Sequence, residues 1–505
     1  LNGATYEIDL LSATDTATYS KIISGAGSFL KSGAGELTFD QVHTYSGATN
    51  ISGGKLKTTS TGSLSNSTAV SISSGATYEL GSNDEVGSIS GSGTVNLGSS
   101  PNEYILTAGA NNSDTTFSGE LKGTGTIVKK GTGSLNLDLT TSNSDLDVPN
   151  PLQVDKGTLL LSSSEAKNIS VDGSITKTTS GSSTFKIETV SDKNLTIDTS
   201  IISSSGPLVV EAKSGGNIIL DDGESIQTQG GDIVLWSNTG NIQSGSGEHF
   251  VRLGAGSSLN SSGGNIVLGG GLDANTDGYP DGFAYVGSTV TPPLGSYSGL
   301  PLQPGLSLGS VRDQQGALIS INSGGGNIVM RGRSGVPSTD ADGFGSQRAK
   351  VIDSGTGTIE IVGDQVSSSG GVGLRLGGFG YYPDVAITSA STANPAIDIS
   401  GTSVNSSGIW LGQGNINSEL AGTVLIQSSA TSGGGIRIAG SSAKATDGYR
   451  GIALWGDQSG FNIPNEYQFL SNNGPIEFQS RIDSTNSQIG FWSDTYLATR
   501  KDSKP

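Results

Sequence analysis

The stretch Gly25–Leu56 is built from short runs in which apolar and polar residues alternate, with glycines cutting one run from the next: Gly25-Ala26-Gly27-Ser28-Phe29-Leu30-Lys31-Ser32-Gly33-Ala34-Gly35-Glu36-Leu37-Thr38-Phe39, then Tyr45-Ser46-Gly47-Ala48-Thr49-Asn50-Ile51-Ser52-Gly53-Gly54-Lys55-Leu56. Alternation over a few residues gives a half-buried strand, and glycine at the breaks permits tight turns with positive φ. Phe29, Leu37 and Phe39 are expected to share the inward face. The pattern reads strand–turn–strand and leaves no length for a helix.

This stretch resembles the passenger-associated repeat of bacterial autotransporters, which reads G-x-G-x-L-x-K-x-G-x-G-x-L-x-L and then N-T-Y-x-G-x-T-x-I-x-x-G-x-L. Gly25, Gly27, Lys31, Gly33, Gly35, Leu37, Thr44, Tyr45, Gly47, Thr49, Ile51, Gly54 and Leu56 match it position by position. Phe29 and Phe39 replace aliphatic residues, and Gln41-Val42-His43 departs from the usual lead-in to the second part. The resemblance implies an all-β fold, a right-handed parallel β-helix, and a secreted or cell-surface passenger on the outer face of a Gram-negative envelope. The repeat returns in degraded form at Gly123–Leu137, and its tail at Val154-Asp155-Lys156-Gly157-Thr158-Leu159.

A second motif takes over near residue 206. Gly215-Gly216-Asn217-Ile218-Ile219-Leu220, Gly230-Gly231-Asp232-Ile233-Val234-Leu235, Gly263-Gly264-Asn265-Ile266-Val267-Leu268 and Gly325-Gly326-Asn327-Ile328-Val329-Met330 each pair a glycine turn with a short strand. Asparagine after such a turn bonds its own backbone readily, and stacked from coil to coil these side chains are expected to form a ladder. The step from Asn217 to Asn265 reads as two coils of roughly 24 residues. The longer step to Asn327 requires an insertion. These units resemble the filamentous-haemagglutinin-like repeats of large adhesins, which implies the same fold. Two segments are expected, 1–205 and 206–505, with protruding loops at 270–310, 335–350 and 377–395. The first loop holds Pro292, Pro293, Pro301 and Pro304, which do not join a central ladder.

Composition supports a repeat fold over one large core. Of 505 residues 79 are Gly and only 6% are aromatic, so the interior must be packed in thin layers of small residues. A net charge of −18 argues against nucleic acid. With no Cys there are no disulfides or thiolate metal sites. No apolar run reaches membrane-helix length, so no membrane insertion of this segment is expected. The chain opens at Leu1 without a signal peptide and closes without a translocator pattern, so it reads as a mature or trimmed piece whose exporter or anchor lies elsewhere.

The sharpest local signal is Asp273-Ala274-Asn275-Thr276-Asp277-Gly278-Tyr279-Pro280-Asp281-Gly282. It follows the first part of a D-x-N-x-D-G-x-x-D calcium loop, with Asp273, Asn275, Asp277, Tyr279 and Asp281 as candidate ligands. Ala284 stands where such a loop carries its bidentate Glu, and an ordinary acidic turn explains the same residues. Asp340-Ala341-Asp342-Gly343-Phe344 and Thr446-Asp447-Gly448-Tyr449 are weaker echoes. Aromatic residues gather late in the chain. Tyr285, Phe379, Tyr381, Tyr382 and Asp384 are candidates for stacking on and hydrogen bonding to a polysaccharide or glycan, while Trp410 and Trp455 read either as further platforms or as packing residues.

No nucleophile elbow, zinc-protease motif or phosphate loop is present. The only histidines are His43 and His249. The expectation is a non-enzymatic adhesin that binds polysaccharide, host glycan or other cell-surface molecules through its loops. A structural stalk and a polysaccharide-degrading β-helix enzyme are the alternatives.

Overall fold

The structure is a computed structural model that describes residues 1–140, 143, 145–190, 192–245, 247–287, 304–309, 318–337, 341–346, 350–377, 384–412, 423–444, 450–454, 466–482, 489–491 and 496–501. Among these every regular element is a β-strand, and strands pair in parallel almost throughout. This is the parallel β-helix that the resemblance implies. The chain forms two compact units, Leu1–Val190 with Thr199–Val210 and Ser191–Asp198 with Glu211–Pro505.

In the first unit each coil lies directly on the one before it. Tyr6 pairs with Phe29, Phe29 with Thr49, Thr49 with Val70, and Val70 with Ile89. Ala48 sits over Ser28, a step of 20 residues. The alternation read from the repeat is realised: Phe29, Leu37, Phe39, Tyr45, Ile51 and Leu56 are buried. Lys31 points inward with them and is 0% exposed. Its ammonium donates to the carbonyls of Ser32 (2.6 Å), Gly33 (3.0 Å) and Gly53 (3.3 Å), bracing the glycine turn of its own coil against that of the next. Lys129, at the same place in the degraded copy, donates to Lys130, Gly131 (2.9 Å) and Lys156 (3.2 Å). The lysine of the repeat is therefore a turn brace, and burial lowers the pKa of both side chains, that of Lys129 to about 8.

The second unit has three faces. The wide face stacks Ile233–Ser237, Ile266–Gly270, Ile328–Ser334, Ile359–Gln365, Ile397–Ser403, Ile436–Ser442 and Ile476–Ile482. The narrow face stacks Ile218–Leu220, Val251–Leu253, Leu306–Leu308, Phe344–Ser346, Leu374–Leu376, Ile409–Leu411 and Ile452–Leu454. The middle face stacks Ser225–Gln227, Ser258–Asn260, Ile319–Asn322, Lys350–Asp353, Val385–Ser389, Thr423–Ser428 and Glu466–Ser471.

Four successive wide-face strands follow one inward rule: Ile, then Ile or Met, then Gly, then Ser or Gln, with Gly332, Gly363, Gly401 and Gly440 in register. The glycine is forced by approach. A Cβ at Gly401 would lie 2.3 Å from the carbonyl oxygen of Gly408, and one at Gly440 would lie 2.0 Å from that of Gly451. The backbone entering the narrow face passes directly beneath.

The asparagine ladder is present, and there are two of them. On the wide face the Asp232 carboxylate accepts the Asn265 N–H (2.6 Å), the Asn265 side chain accepts the Asn327 N–H (2.9 Å), and the Asn327 side chain accepts the Thr358 N–H (3.0 Å). On the narrow face Asn194 accepts the Asn217 N–H (2.9 Å) and Asn217 accepts the Phe250 N–H (3.0 Å). Asn217 and Asn265 thus belong to different faces, which overturns the reading of two equal coils between them. The true step from Asp232 to Asn265 is 33 residues, and from Asn327 to Thr358 it is 31. Identical motifs at two corners of one coil mimic a shorter period.

The insertion between Asn265 and Asn327 is real: these residues are 62 apart yet adjacent in the ladder. It does not only protrude. Its strand Ala284–Val286 pairs in parallel with the last part of Ile328–Ser334, while Ile266–Leu268 pairs with the first part. The inserted strand completes a wide-face coil that the shorter strand leaves half covered. It also pairs antiparallel with Glu248–His249. Pro304 is buried, whereas Pro292, Pro293 and Pro301 lie outside the described residues. The expected loop at 335–350 is corrected as well, because Phe344–Ser346 is a narrow-face strand and Ala341 and Asp342 are buried. Three-residue strands are too short to display an alternation, so they read as loop.

Candidate functional site

The described part of the insertion forms a turn anchored on the outside of the wide face. Thr276 and Gly278 take positive φ, +62° and +91°, which folds the chain back sharply. The Asp273 carboxylate accepts the N–H groups of Asp277 (3.0 Å) and Gly278 (2.9 Å). The Asn275 side chain accepts the Asp277 N–H (3.0 Å), and the Asp277 carboxylate accepts the Tyr279 N–H (2.9 Å). Asp281 closes the turn by accepting the Ala274 N–H (2.7 Å) and the Asn275 N–H (3.1 Å).

All four candidate oxygen donors are therefore engaged with the turn's own backbone. Among the described residues no three His, Cys, Asp or Glu side chains come together as they would around a metal ion.

Tyr279, the fifth candidate ligand, is an anchor in this arrangement. Its hydroxyl donates to Asp232 (2.5 Å) and accepts from the Asn265 amide (3.0 Å), so the turn is tied to the start of the wide-face ladder. Burial beside the Asp232 carboxylate pushes its pKa up to about 12. Arg331 donates to the Pro280 carbonyl (3.1 Å) and pairs with Glu360 (2.7 Å). The Arg333 guanidinium lies 4.2 Å from the Phe283 ring centre and pairs with Asp364 (2.8 Å). The Trp236 indole N–H donates to the Gly271 carbonyl (2.7 Å). The exposed tip, 274–278, is thus held on a rigid base.

The other candidates are not gathered there. Tyr285 is 1% exposed, packed within the wide face, so it is corrected from a ligand-facing residue to a core residue. It stands in register with Arg333, on the outward side of the wide face, and is covered there by the segment before Glu248–His249, its hydroxyl donating to the Gly245 carbonyl (3.4 Å). Asp384 is exposed and its carboxylate accepts the Thr423 N–H (2.9 Å) of the next coil. Phe379, Tyr381 and Tyr382 lie outside the described residues, between the strands Leu374–Leu376 and Val385–Ser389. So do Asp340, residues 445–449 and Trp455. Trp410 is half-buried under the Arg375 guanidinium, 4.6 Å from its ring centre. Arg375 itself makes a bidentate, buried pair with Asp342 (2.6 and 3.1 Å). Asp342, taken from sequence as part of a calcium-like echo, is an ion-pair partner of Arg375.

One feature escaped the sequence reading. In the outward row Val329, Glu360, Asp398, Arg437 and Glu477, consecutive coils set charges one above another, and Arg437 holds Asp398 (2.8 Å). The signal was available in the position after the first Ile of each wide-face strand, where Glu, Asp, Arg and Glu succeed one another.

No known protein family profile matches the chain, and no solved structure matches it. One stretch of 257 residues, 48% of the chain, is 27% identical to the adhesin BmaC autotransporter of Brucella suis biovar 1 (strain 1330). That stretch spans 7% of the relative's length. Over about half its length, then, the chain is a weak homologue of an autotransporter adhesin, in agreement with its parallel β-helix.

Proposed function

We propose that this chain is an exported, cell-surface adhesin segment, without catalytic activity, that binds extracellular polysaccharide or a host glycan through residues between its narrow-face and middle-face strands. The observation that carries the reading is the similarity to an autotransporter adhesin, joined to a fold in which long connections between narrow and middle faces recur from coil to coil, at 309–318, 377–384, 412–422 and 455–465. Phe379, Tyr381, Tyr382 and Asp384 sit in or beside the second of these, and we assign them the glycan contact. The 273–282 turn is the second contact, with calcium as an optional ligand.

The test is binding of the full chain to a polysaccharide and glycan panel, in calcium and in chelator. The triple variant F379A/Y381A/Y382A is expected to lose the signal with an unchanged melting temperature. A signal that survives this variant but disappears with the 273–282 turn replaced by a short glycine linker moves the contact to the turn. Silence of the native chain across the panel favours a stalk. Covered aromatic faces at Phe283 and Trp410 give that second reading its specific support, because a guanidinium occupies the surface a sugar would need.

A further inference from the structure

Asp84 opens the strand Asp84–Val86 in the first unit and is 5% exposed. Its carboxylate accepts the Tyr78 hydroxyl, the Leu64 N–H (3.0 Å) and the Glu85 N–H (2.8 Å). Every one of these donors is neutral, and among the described residues no Lys, Arg or His is paired with it. A buried carboxylate without a cation is costly unless its hydrogen bonds offset the lost hydration.

The surroundings contain few other titrating groups. Tyr78 is fully buried, and Tyr45 behind it bonds to Thr49, which bonds to Thr68 (2.8 Å). Glu85, on the same strand, faces out and pairs with Lys130 (3.0 Å). The neighbouring strand Ile105–Ala108 sets Leu106 against Asp84. On the preceding coil His43 is buried, and its N–H donates to the Ser63 carbonyl (3.2 Å), next to Leu64.

We propose that Asp84 is a built-in acid latch: the coil from Leu64 to Val86 is held less tightly while this carboxylate is charged and tightens when it takes up a proton. Desolvation outweighs the three donors and raises its pKa to about 6. The folded form then holds the proton more strongly than the unfolded chain, so the stabilisation is present in acid and is lost as pH rises through about 6. With the carboxylate charged at neutral pH, local opening of this coil costs less than it does in acid.

Hydrogen exchange of the full chain, read by mass spectrometry for residues 62–88 at pH 7.5 and pH 5 and corrected for intrinsic rates, tests this against D84N. The ratio of native to D84N protection is expected to rise about tenfold on acidification, one pH unit below the transition being worth one decade. Protonation of His43 on opening contributes equally to both proteins and drops out of that ratio. A ratio that does not change with pH overturns the proposal. Should D84N fail to fold, Y78F serves: it keeps the carboxyl but removes a donor to the anion, so the transition must move to higher pH, and an unmoved transition overturns the proposal equally.

Discussion

At the scale of single residues, the first unit hides ionisable groups whose effects oppose each other. His43 accepts the Ile23 N–H at Nδ1 (3.1 Å), and burial lowers its pKa to about 4. Its folded pKa lies below the unfolded value, so its contribution makes stability fall as pH drops from about 6.5 to 4, at about 1.4 kcal/mol per pH unit. Asp84 contributes the opposite slope over nearly the same window. The native protein is therefore expected to show a flat melting temperature between pH 6 and 4 for this unit, H43Q a rise on acidification and D84N a fall, measured by calorimetry. Lys129 acts in alkali: its lowered pKa predicts that stability gains as pH rises from about 8 towards 10.5, and K129M removes that gain. None of this was legible in the sequence. Lys31 was recognised only as a matching position, because a lysine in an alternating run looks solvent-facing until the coil above supplies a carbonyl of the glycine turn.

At the scale of elements, what matters is where one strand's backbone meets the next. Gly401 faces the Gly408 carbonyl, so G401A is expected to cost about 1–3 kcal/mol, or more if the narrow face must shift. Equilibrium denaturation measures it, and exposed Gly223, with open space around its Cβ direction, tests positive φ alone. In the ladder, N265A leaves the Asn327 N–H without its acceptor and removes one partner of Tyr279, for an expected loss of about 1–2 kcal/mol. Y279F frees the acidic turn: faster exchange and proteolysis at 273–282 are expected with little change in overall melting. With calcium as a ligand of the turn, a calcium-dependent rise in melting temperature is expected and D277A abolishes it; a melting temperature that ignores calcium and chelator removes the metal from the turn. The glycine turns, the strands they feed and the ladder were readable, since each depends on local alternation and on asparagine's side chain. The insertion's strand was not, because Ala284-Tyr285-Val286 has no period of its own and exists only as the missing half of a neighbour's ladder.

At the scale of the whole molecule, each coil rests chiefly on the two beside it, so stability is close to a sum of coil and nearest-neighbour terms. Removing 359–396 joins Thr358 to Ile397 in phase and stacks Ile397 where Ile359 stood, against Ile328. That deletion is expected to keep β circular dichroism and cooperative melting, while removing 359–380 breaks the phase and exposes the inward isoleucines. Because the in-phase deletion also removes Phe379, Tyr381 and Tyr382, loss of glycan binding by a well-folded deletion supports the proposed contact, and retained binding assigns it elsewhere.

The sequence by itself determined short strands joined by glycine turns in a repeat fold, and its family resemblance implied that the fold is a parallel β-helix. Alternation, glycine turns and a low aromatic content are local properties, and the resemblance of Gly25–Leu56 to a known repeat points the same way. Only the tertiary structure decided the coil length, the burial of Lys31 and Tyr285, the union of Tyr279 with Asp232 and Asn265, and the use of the acidic turn's carboxylates on its own backbone. Each of these depends on which residues lie above and below in the stack. That vertical registry is set by corners and insertions of unequal length, and the linear order of residues does not display it.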